Sequence, residues 1–260
     1  MEEHTFVVCA YKESEYLEEC IKSLLNQSVQ SNILMTTSTD NEYIRKLSDM
    51  YNITLKVSKH SSDIARDWNF AYHSVLTKYV TIVHQDDIYD VDYLKTALNT
   101  MAESKNPLIF FSQYYEIRDN KKITNNFNLK IKKILLRPLK VKAFRCSRFI
   151  RRRILSFGNP ICCPAVTYNR DLLPSTLFHE GFKSNIDWEA WEKISKLKGD
   201  FVYCSTPLMG HRVHEASTTT KIINSNLRTK EDYEMLKKFW PVPIAKLINS
   251  FYKKAEQSNQ

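Results

Sequence analysis

Residues 79–89 read Tyr79-Val80-Thr81-Ile82-Val83-His84-Gln85-Asp86-Asp87-Ile88-Tyr89. A β-branched apolar run of this kind is the pattern of a strand buried on both faces. It breaks abruptly into two adjacent carboxylates. In open α/β sheets, ligands bind just beyond the carboxyl ends of the strands. Two hard oxygen donors at such a point suit a divalent ion that keeps some of its waters and holds a substrate diphosphate. The same two acids also fit a solvated turn, so the rest of the chain has to decide between them.

The elements that must position this turn can be taken in chain order. Thr5–Tyr11 reads as a buried first strand, and Ser14 is a plausible N-cap for the first helix. Leu17, Cys20, Ile21, Leu24 and Leu25 recur with helical spacing. Asn32–Thr37 suggests a second strand. Asp40 can cap a helix carrying Tyr43, Ile44, Leu47 and Tyr51, and Ile53–Val57 alternates as a third strand. A helix over about 62–77 leads into the strand that ends at Asp86. The β-α-β-α-β-α-β alternation predicts a parallel, right-handed, doubly wound sheet. A further helix carries Val91, Leu94, Leu98 and Met101, and Leu108–Ile117 is another buried strand. Beyond it the spacing predicts a short strand over Ala165–Tyr168, a helix over Asp187–Leu197 and a strand over Phe201–Cys204. A polar loop is expected over His211–Thr220, then helical patterns over about 224–239 and 244–256.

The chain has 260 residues, 43% of them hydrophobic, with only 4 Gly and 8 Pro, which supports a packed core and argues against low complexity. The acidic start Met1-Glu2-Glu3-His4 is not a secretory signal, and no run approaches the roughly 18 apolar residues of a membrane span. A cytoplasmic location is expected. Cys9, Cys20, Cys146, Cys162, Cys163 and Cys204 contain no C-x-x-C pair and read as buried free thiols. The net charge of +9 is uneven: residues 118–153 hold 14 Lys and Arg against the single acid Asp119, which leaves −4 for the other 224 residues.

Several motifs then line up. Tyr16–Gln27 (YLEECIKSLLNQ) resembles the first helix of family 2 glycosyltransferases of the GT-A fold, and Ala65-Arg66-Asp67 resembles their Ala-Arg-Asn segment. His84-Gln85-Asp86-Asp87 falls where that family carries its Asp-x-Asp metal motif. Asn185-Ile186-Asp187-Trp188 falls where it carries the Glu-Asp pair containing the catalytic base. His211-Arg212-Val213-His214-Glu215-Ala216-Ser217 resembles the Tyr-Arg-x-His-x-x-Ser loop of bacterial surface-polysaccharide members. The resemblance covers nearly the whole chain and is weakest over 118–158.

The resemblance implies a GT-A catalytic domain over 1–220 and a helical extension over 221–260. Within the former, 1–117 would be the nucleotide-sugar half, 118–158 a basic amphipathic insertion, and 159–220 the acceptor and base half. It implies inverting sugar transfer from a nucleotide-sugar, assisted by Mn²⁺ or Mg²⁺ as Lewis acid. Asp86 is the first choice of metal ligand, with Asp87 in support and His214 a further contact. Ala10, Tyr11, Glu13, Thr37, Ser38, Arg66, His84, Asp86 and Arg212 would line the donor. Asp187 would be the general base, compatible with a helix N-cap role, and Glu189 is a distant second. Arg66 fits either a phosphate or a surface ion pair with Asp63 or Asp67.

Three positions depart from the family pattern. Met35–Asp40 lacks the acid that ordinarily reads the base, which Thr37 and Ser38 would replace with neutral hydrogen bonds. His84 stands for the first Asp of the metal motif, and Ile186 for the Glu of the base pair.

In the basic segment Pro138 divides two short amphipathic pieces. Basic helices with apolar faces lie at membrane interfaces and favour anionic lipid. That suits a saccharide acceptor which is itself lipid-linked, on the inner face of the cell membrane. A solvated helix over the acceptor site and a nucleic-acid surface are the competing readings, and nucleic acid is not expected. A nucleotidyltransferase with a similar sheet would favour a Gly-rich loop near the N-terminus, and Cys9–Ser14 contains no Gly.

Overall fold

The computed structural model describes residues 3–214 and 227–257. Four strands, β1 (His4–Ala10), β2 (Asn32–Thr37), β3 (Thr54–Val57) and β4 (Tyr79–His84), alternate with helices α1 (Leu17–Leu25), α2 (Glu42–Met50) and α3 (Ile64–His73). All four strands are parallel, in the order β3-β2-β1-β4. This is the doubly wound half expected from the alternation. The register pairs Ala10 with Thr37 and Cys9 with His84, so three strands end level with one another. Side chains alternate as period 2 demands. Phe6 and Val8 join Leu17, Cys20, Ile21 and Leu24 of α1 under one face, while Val7 joins Ala65, Ala71 and Tyr72 of α3 under the other.

The second half is mixed. β5 (Ile88–Tyr89) and α4 (Tyr93–Ala102) lead to the long strand β6 (Pro107–Arg118), which hairpins into β7 (Lys121–Ile123). The short strand β8 (Val166–Asn169) runs antiparallel between β4 and β6. β9 (Asp200–Arg212) runs parallel to β6 along its whole length, through register shifts at Ser112–Tyr114, and pairs antiparallel with β5 (Ile88 opposite Gly210). The turn between β4 and β5 is thereby clasped to the far end of β9. This differs from the expectation that a strand at 201–204 gives way to a polar loop at His211. His211 and Arg212 are the last residues of β9, while 215–220, including Glu215, Ala216 and Ser217, lie outside the described residues.

Two caps also differ from expectation. Asn41, not Asp40, accepts the Ile44 N–H at the start of α2, and α1 begins after Tyr16 without a side-chain cap. Asp63 caps α3 through the N–H groups of Ala65 and Arg66. The basic segment does split near Pro138, into α5 (Phe127–Leu136) and α6 (Arg148–Leu155), with 3-10 turns between. α7 (Ile186–Ser195) precedes β9. α8 (Leu227–Lys237) and α9 (Val242–Gln257) follow it, and both feed the α3-side core through Met235, Leu236 and Ala245. Among the six cysteines, Cys146 is exposed, contrary to the expectation of burial.

The turn into β9 depends on Gly199, whose φ is +145° and whose missing Cβ would meet the Asn106 carbonyl oxygen at 2.6 Å. Gly199→Ala should therefore destabilise the protein by about 1–3 kcal/mol. In a thermal melt that appears as a midpoint lowered by roughly 2–4 °C per kcal/mol. A midpoint equal to wild type would show that the β6–β9 pair tolerates a shift there.

Candidate active site

The buried apolar strand β4 delivers Asp86 and Asp87 to the level of the β1 and β2 ends. Asp87 is 0% exposed. Its Oδ1 accepts the Arg212 backbone N–H at 2.9 Å and a ring N–H of His211 at 3.0 Å. Its Oδ2 is buried with no hydrogen-bond partner among the described residues. Burial would lower the His211 pKa, but Asp87 and then Asp86 more than offset it, so the net direction is upward. Asp86 is only partly buried, and its Oδ2 lies 3.0 Å from His214 Nε2. The structure thus brings Asp86, Asp87 and His214 to one place.

His84 belongs to the same cluster. Its ring stacks on Trp68 with centroids 5.0 Å apart and planes 18° from parallel. Burial pulls its pKa down to about 4, so the imidazole is neutral near pH 7. Its Nε2 is buried without a partner. Ligand atoms of His84, Asp86 and Asp87 lie within 4.8 Å of one another. A neutral imidazole and two carboxylates, with a buried carboxylate oxygen left unpartnered, fit a divalent cation of the Mn²⁺ or Mg²⁺ type.

Around this turn lie the residues expected at the donor. Ala10 is buried at the end of β1, and Glu13 is exposed in the following loop. Tyr11 exchanges hydrogen bonds with Gln85, its N–H donating to Oε1 at 2.9 Å and its carbonyl accepting from Nε2 at 3.0 Å. The buried Thr37 hydroxyl accepts the Thr39 N–H. Ser38 donates to Asp67 at 3.0 Å. Burial raises the pKa of Asp67, on α3, partly countered by Ser38 and Ser62.

Two arginines are placed differently from expectation. Arg66 pairs with Glu180 at 2.8 Å, not with Asp63 or Asp67. Arg212 is nearly buried, and each guanidinium nitrogen is engaged. Nε donates to the Asp86 carbonyl, Nη1 to Asn120 and Nη2 to Glu19, with Tyr16 stacked on the plane at 4.3 Å. These bonds brace the acidic turn from behind and leave one N–H on each terminal nitrogen.

Asp187 sits in the first turn of α7. Its Oδ1 accepts the Trp188 N–H at 2.8 Å and its Oδ2 the Asn159 amide at 2.6 Å. Burial raises its pKa, and those two bonds with the charges of Lys132 and Arg228 pull back only in part. The loop entering α7 is held from the tail: Glu231 of α8 accepts the backbone N–H groups of Lys183, Ser184 and Asn185 at 2.7–3.0 Å, and Asp232 accepts the Asn185 amide. Glu189, the second choice of base, is buried with its Oε1 paired with Lys193 and Lys238, while its Oε2 has no hydrogen-bond partner among the described residues. Burial pushes the Cys162 thiol pKa up, and the charges of Asp87 and Asp187 add to it in smaller measure. Asn159, Lys132 and Glu231 carry no motif, and no local pattern marks them; only the fold brings them to Asp187.

The family model described as "Glycosyl transferase family 2" matches residues 5–173. The chain belongs to that family. A curated relative, "Glycosyltransferase GlyA" of Streptococcus pneumoniae serotype 4, is 22% identical over 121 residues. Those residues are 45% of this chain and only 17% of the relative, so the match spans about a sixth of that protein's length. Among solved structures, S. aureus TarS 1–349 in complex with UDP-GlcNAc superposes with a TM-score of 0.63 at 14% identity, covering 95% of this chain and 70% of that one. The mannosyltransferase PcManGT from Pyrobaculum calidifontis, in complex with GDP-Man and Mn²⁺, gives 0.65 at 15% identity with the same coverage. The fold is GT-A.

A carboxyl whose folded pKa lies above its unfolded value adds stability below the ordinary carboxylate range and loses it as pH rises through the raised value. Ionised Asp187 therefore destabilises the fold at neutral pH. Asp187→Asn should melt at the same or a higher temperature than wild type at pH 7.5, with the advantage shrinking toward pH 4. A clear drop in midpoint at pH 7.5 would contradict the burial penalty.

Proposed function

We propose that the protein is an inverting glycosyltransferase that moves a sugar from a nucleoside diphosphate sugar to a saccharide hydroxyl. The single observation that carries this reading is Asp187. It is a carboxylate of raised pKa, oriented by one backbone N–H and one amide. In the reaction the acceptor oxygen attacks the anomeric carbon from the face opposite the diphosphate. The carbon–oxygen bond to the phosphate breaks, and its electron pair leaves with the diphosphate. The acceptor proton passes to Asp187. A positioned general base of this kind contributes roughly a hundred- to ten-thousand-fold.

A divalent ion held by Asp86, Asp87 and His84, with His214 beside Asp86, would supply charge stabilisation for the departing diphosphate. Asp67 and Ser38, at the ends of α3 and β2, supply acceptor and donor groups for the base of the nucleotide. The two structural neighbours hold UDP-GlcNAc and GDP-Man, which makes uridine and guanosine diphosphate sugars the first donors to test. With a panel of these and Mn²⁺ or Mg²⁺, donor cleavage should require the metal and be abolished by EDTA. It should fall at least a hundredfold in Asp86→Ala and in Asp187→Asn. If no donor binds and EDTA changes nothing, the reading fails.

The basic segment supports a lipid-linked acceptor, in keeping with assembly of cell-surface polysaccharide, and contact with an anionic membrane surface. Phe127 and Phe149 are 76% and 68% exposed among Lys130, Lys140 and Arg148 on α5, α6 and the turns between. Among the described residues no helix is long and apolar enough to cross a membrane. Vesicles containing phosphatidylglycerol should therefore sediment the protein where phosphatidylcholine vesicles do not. Phe127→Ser with Phe149→Ser should reduce the bound fraction severalfold; equal binding to both lipids would refute the contact.

A further inference from the structure

Six cations of the basic segment are held by carboxylates or main-chain carbonyls. Arg118 pairs with Glu116, Lys142 with Glu103 and Arg152 with Glu192. Arg145 and Arg151 donate to main-chain carbonyls, as does Lys133. Lys132 is different. It is partly buried, and its hydrogen-bond partner is a phenol: Nζ donates to the Tyr114 hydroxyl at 2.8 Å. Its ammonium also lies 5.1 Å from the Tyr114 ring centroid. It makes no ion pair with any carboxylate among the described residues.

The placement of Lys132 is enforced. Asn126 caps α5 and also donates to Glu116 of β6 at 2.9 Å, which fixes the start of the helix on the strand. Leu129 is fully buried with Tyr114 and Cys162. Lys132 lies three residues on, hence on the same inward face. Tyr114 in turn meets His211 edge-on at 6.1 Å, and His211 bonds Asp87. The charge of Lys132 is felt by Asp187 on the other side. A helix of the basic segment thus places an ammonium on Tyr114, which adjoins the His211–Asp87 pair.

An ammonium has three N–H donors, and one is used here; the Tyr114 hydroxyl, having accepted it, still has its own proton to donate. Burial disfavours this charge, but the Tyr114 hydroxyl, Cys162 and the more distant Asp187 carboxylate more than offset that, so the ammonium is held charged. The acidic turn already provides for the donor diphosphate. Lys132 adds positive charge on the side of the base, where the acceptor hydroxyl must approach.

We propose that Lys132 and the Tyr114 hydroxyl form an anion subsite that takes a phosphate or carboxylate of the acceptor, next to the hydroxyl that Asp187 deprotonates. The acceptor is then an acidic saccharide or a phosphate-bearing polyol or glycan. The inference rests on the transferase reading for the word acceptor; the subsite itself does not.

Inorganic phosphate is the probe, titrated by thermal shift into the full chain saturated with UDP or GDP and Mg²⁺, and into the chain alone. Saturable stabilisation is expected in wild type. It should weaken at least tenfold in Lys132→Gln, persist in Lys132→Arg and weaken less in Tyr114→Phe. Nucleotide affinity, measured separately by calorimetry, should change less than twofold in Lys132→Gln. Phosphate binding that is absent in wild type, or equal in wild type and Lys132→Gln, overturns the subsite. A tenfold loss of nucleotide affinity in Lys132→Gln overturns its assignment to the acceptor, because the ammonium then serves the donor. Failure of UDP and GDP to bind wild type at all counts against the transferase reading, and the titration into the chain alone still decides the subsite.

Discussion

A carboxylate with no exposure to water joins the two halves of this sheet. Asp87 lies at the end of a parallel βα series, yet its Oδ1 is held by the last two residues of β9, a strand separated from β4 by β8 and β6. Taking a carboxylate out of water costs several kcal/mol even after relaxation. Two hydrogen bonds to one oxygen recover part of that, and the other oxygen has no partner among the described residues. The arrangement is stable only because the surroundings are rigid. β5 pairs with β9 on one side of the turn, and Arg212 grips the Asp86 carbonyl from behind. An unpartnered buried oxygen beside a neutral imidazole is a poor way to stabilise a fold and a good way to bind a cation, which links the energetic cost of the turn to its chemistry.

The base half is assembled from more distant parts. Asp187 sits at the start of α7, where a helix N-terminus favours negative charge. The N-cap Asn185 makes no side-chain cap bond there, and the preceding N–H groups go to Glu231 from the tail. Glu192 and Glu189, one face further along α7, are tied to Arg152, Lys196, Lys193 and Lys238. The insertion and the C-terminal helices therefore act as the frame of the base. From the basic window Arg152 joins this frame through Glu192, and Arg151 through the Leu197 carbonyl.

How much of the molecule is legible in its sequence depends on what each signal measures. Periodicity in β1 to β4 and α1 to α3 reports burial on a regular lattice, and it locates those elements and the strand-end position of Asp86 and Asp87. The extension of β9 to Arg212 is hidden because Ser205-Thr206-Pro207 interrupts the apolar pattern, and the strand continues only by shifting register against β6. The arginines' partners are hidden for a related reason. Arg66 and Arg212 are long side chains whose partners, Glu180, Glu19 and Asn120, lie 114, 193 and 92 residues away and are fixed by topology alone. Asp187 stands out only through resemblance, since an acid at a helix start has a local role in any protein.

The departures from the family pattern compensate one another in space. The acid missing after β2 is met by Asp67, which reaches Ser38 from α3. The histidine in the metal motif is kept neutral by burial and flattened against Trp68, the residue following Asp67. One helical turn thus supplies both the carboxylate at the end of β2 and the aromatic surface beneath the imidazole of β4. Neighbouring residues of α3 thus meet the two unusual positions, Asp67 at Ser38 and Trp68 at His84.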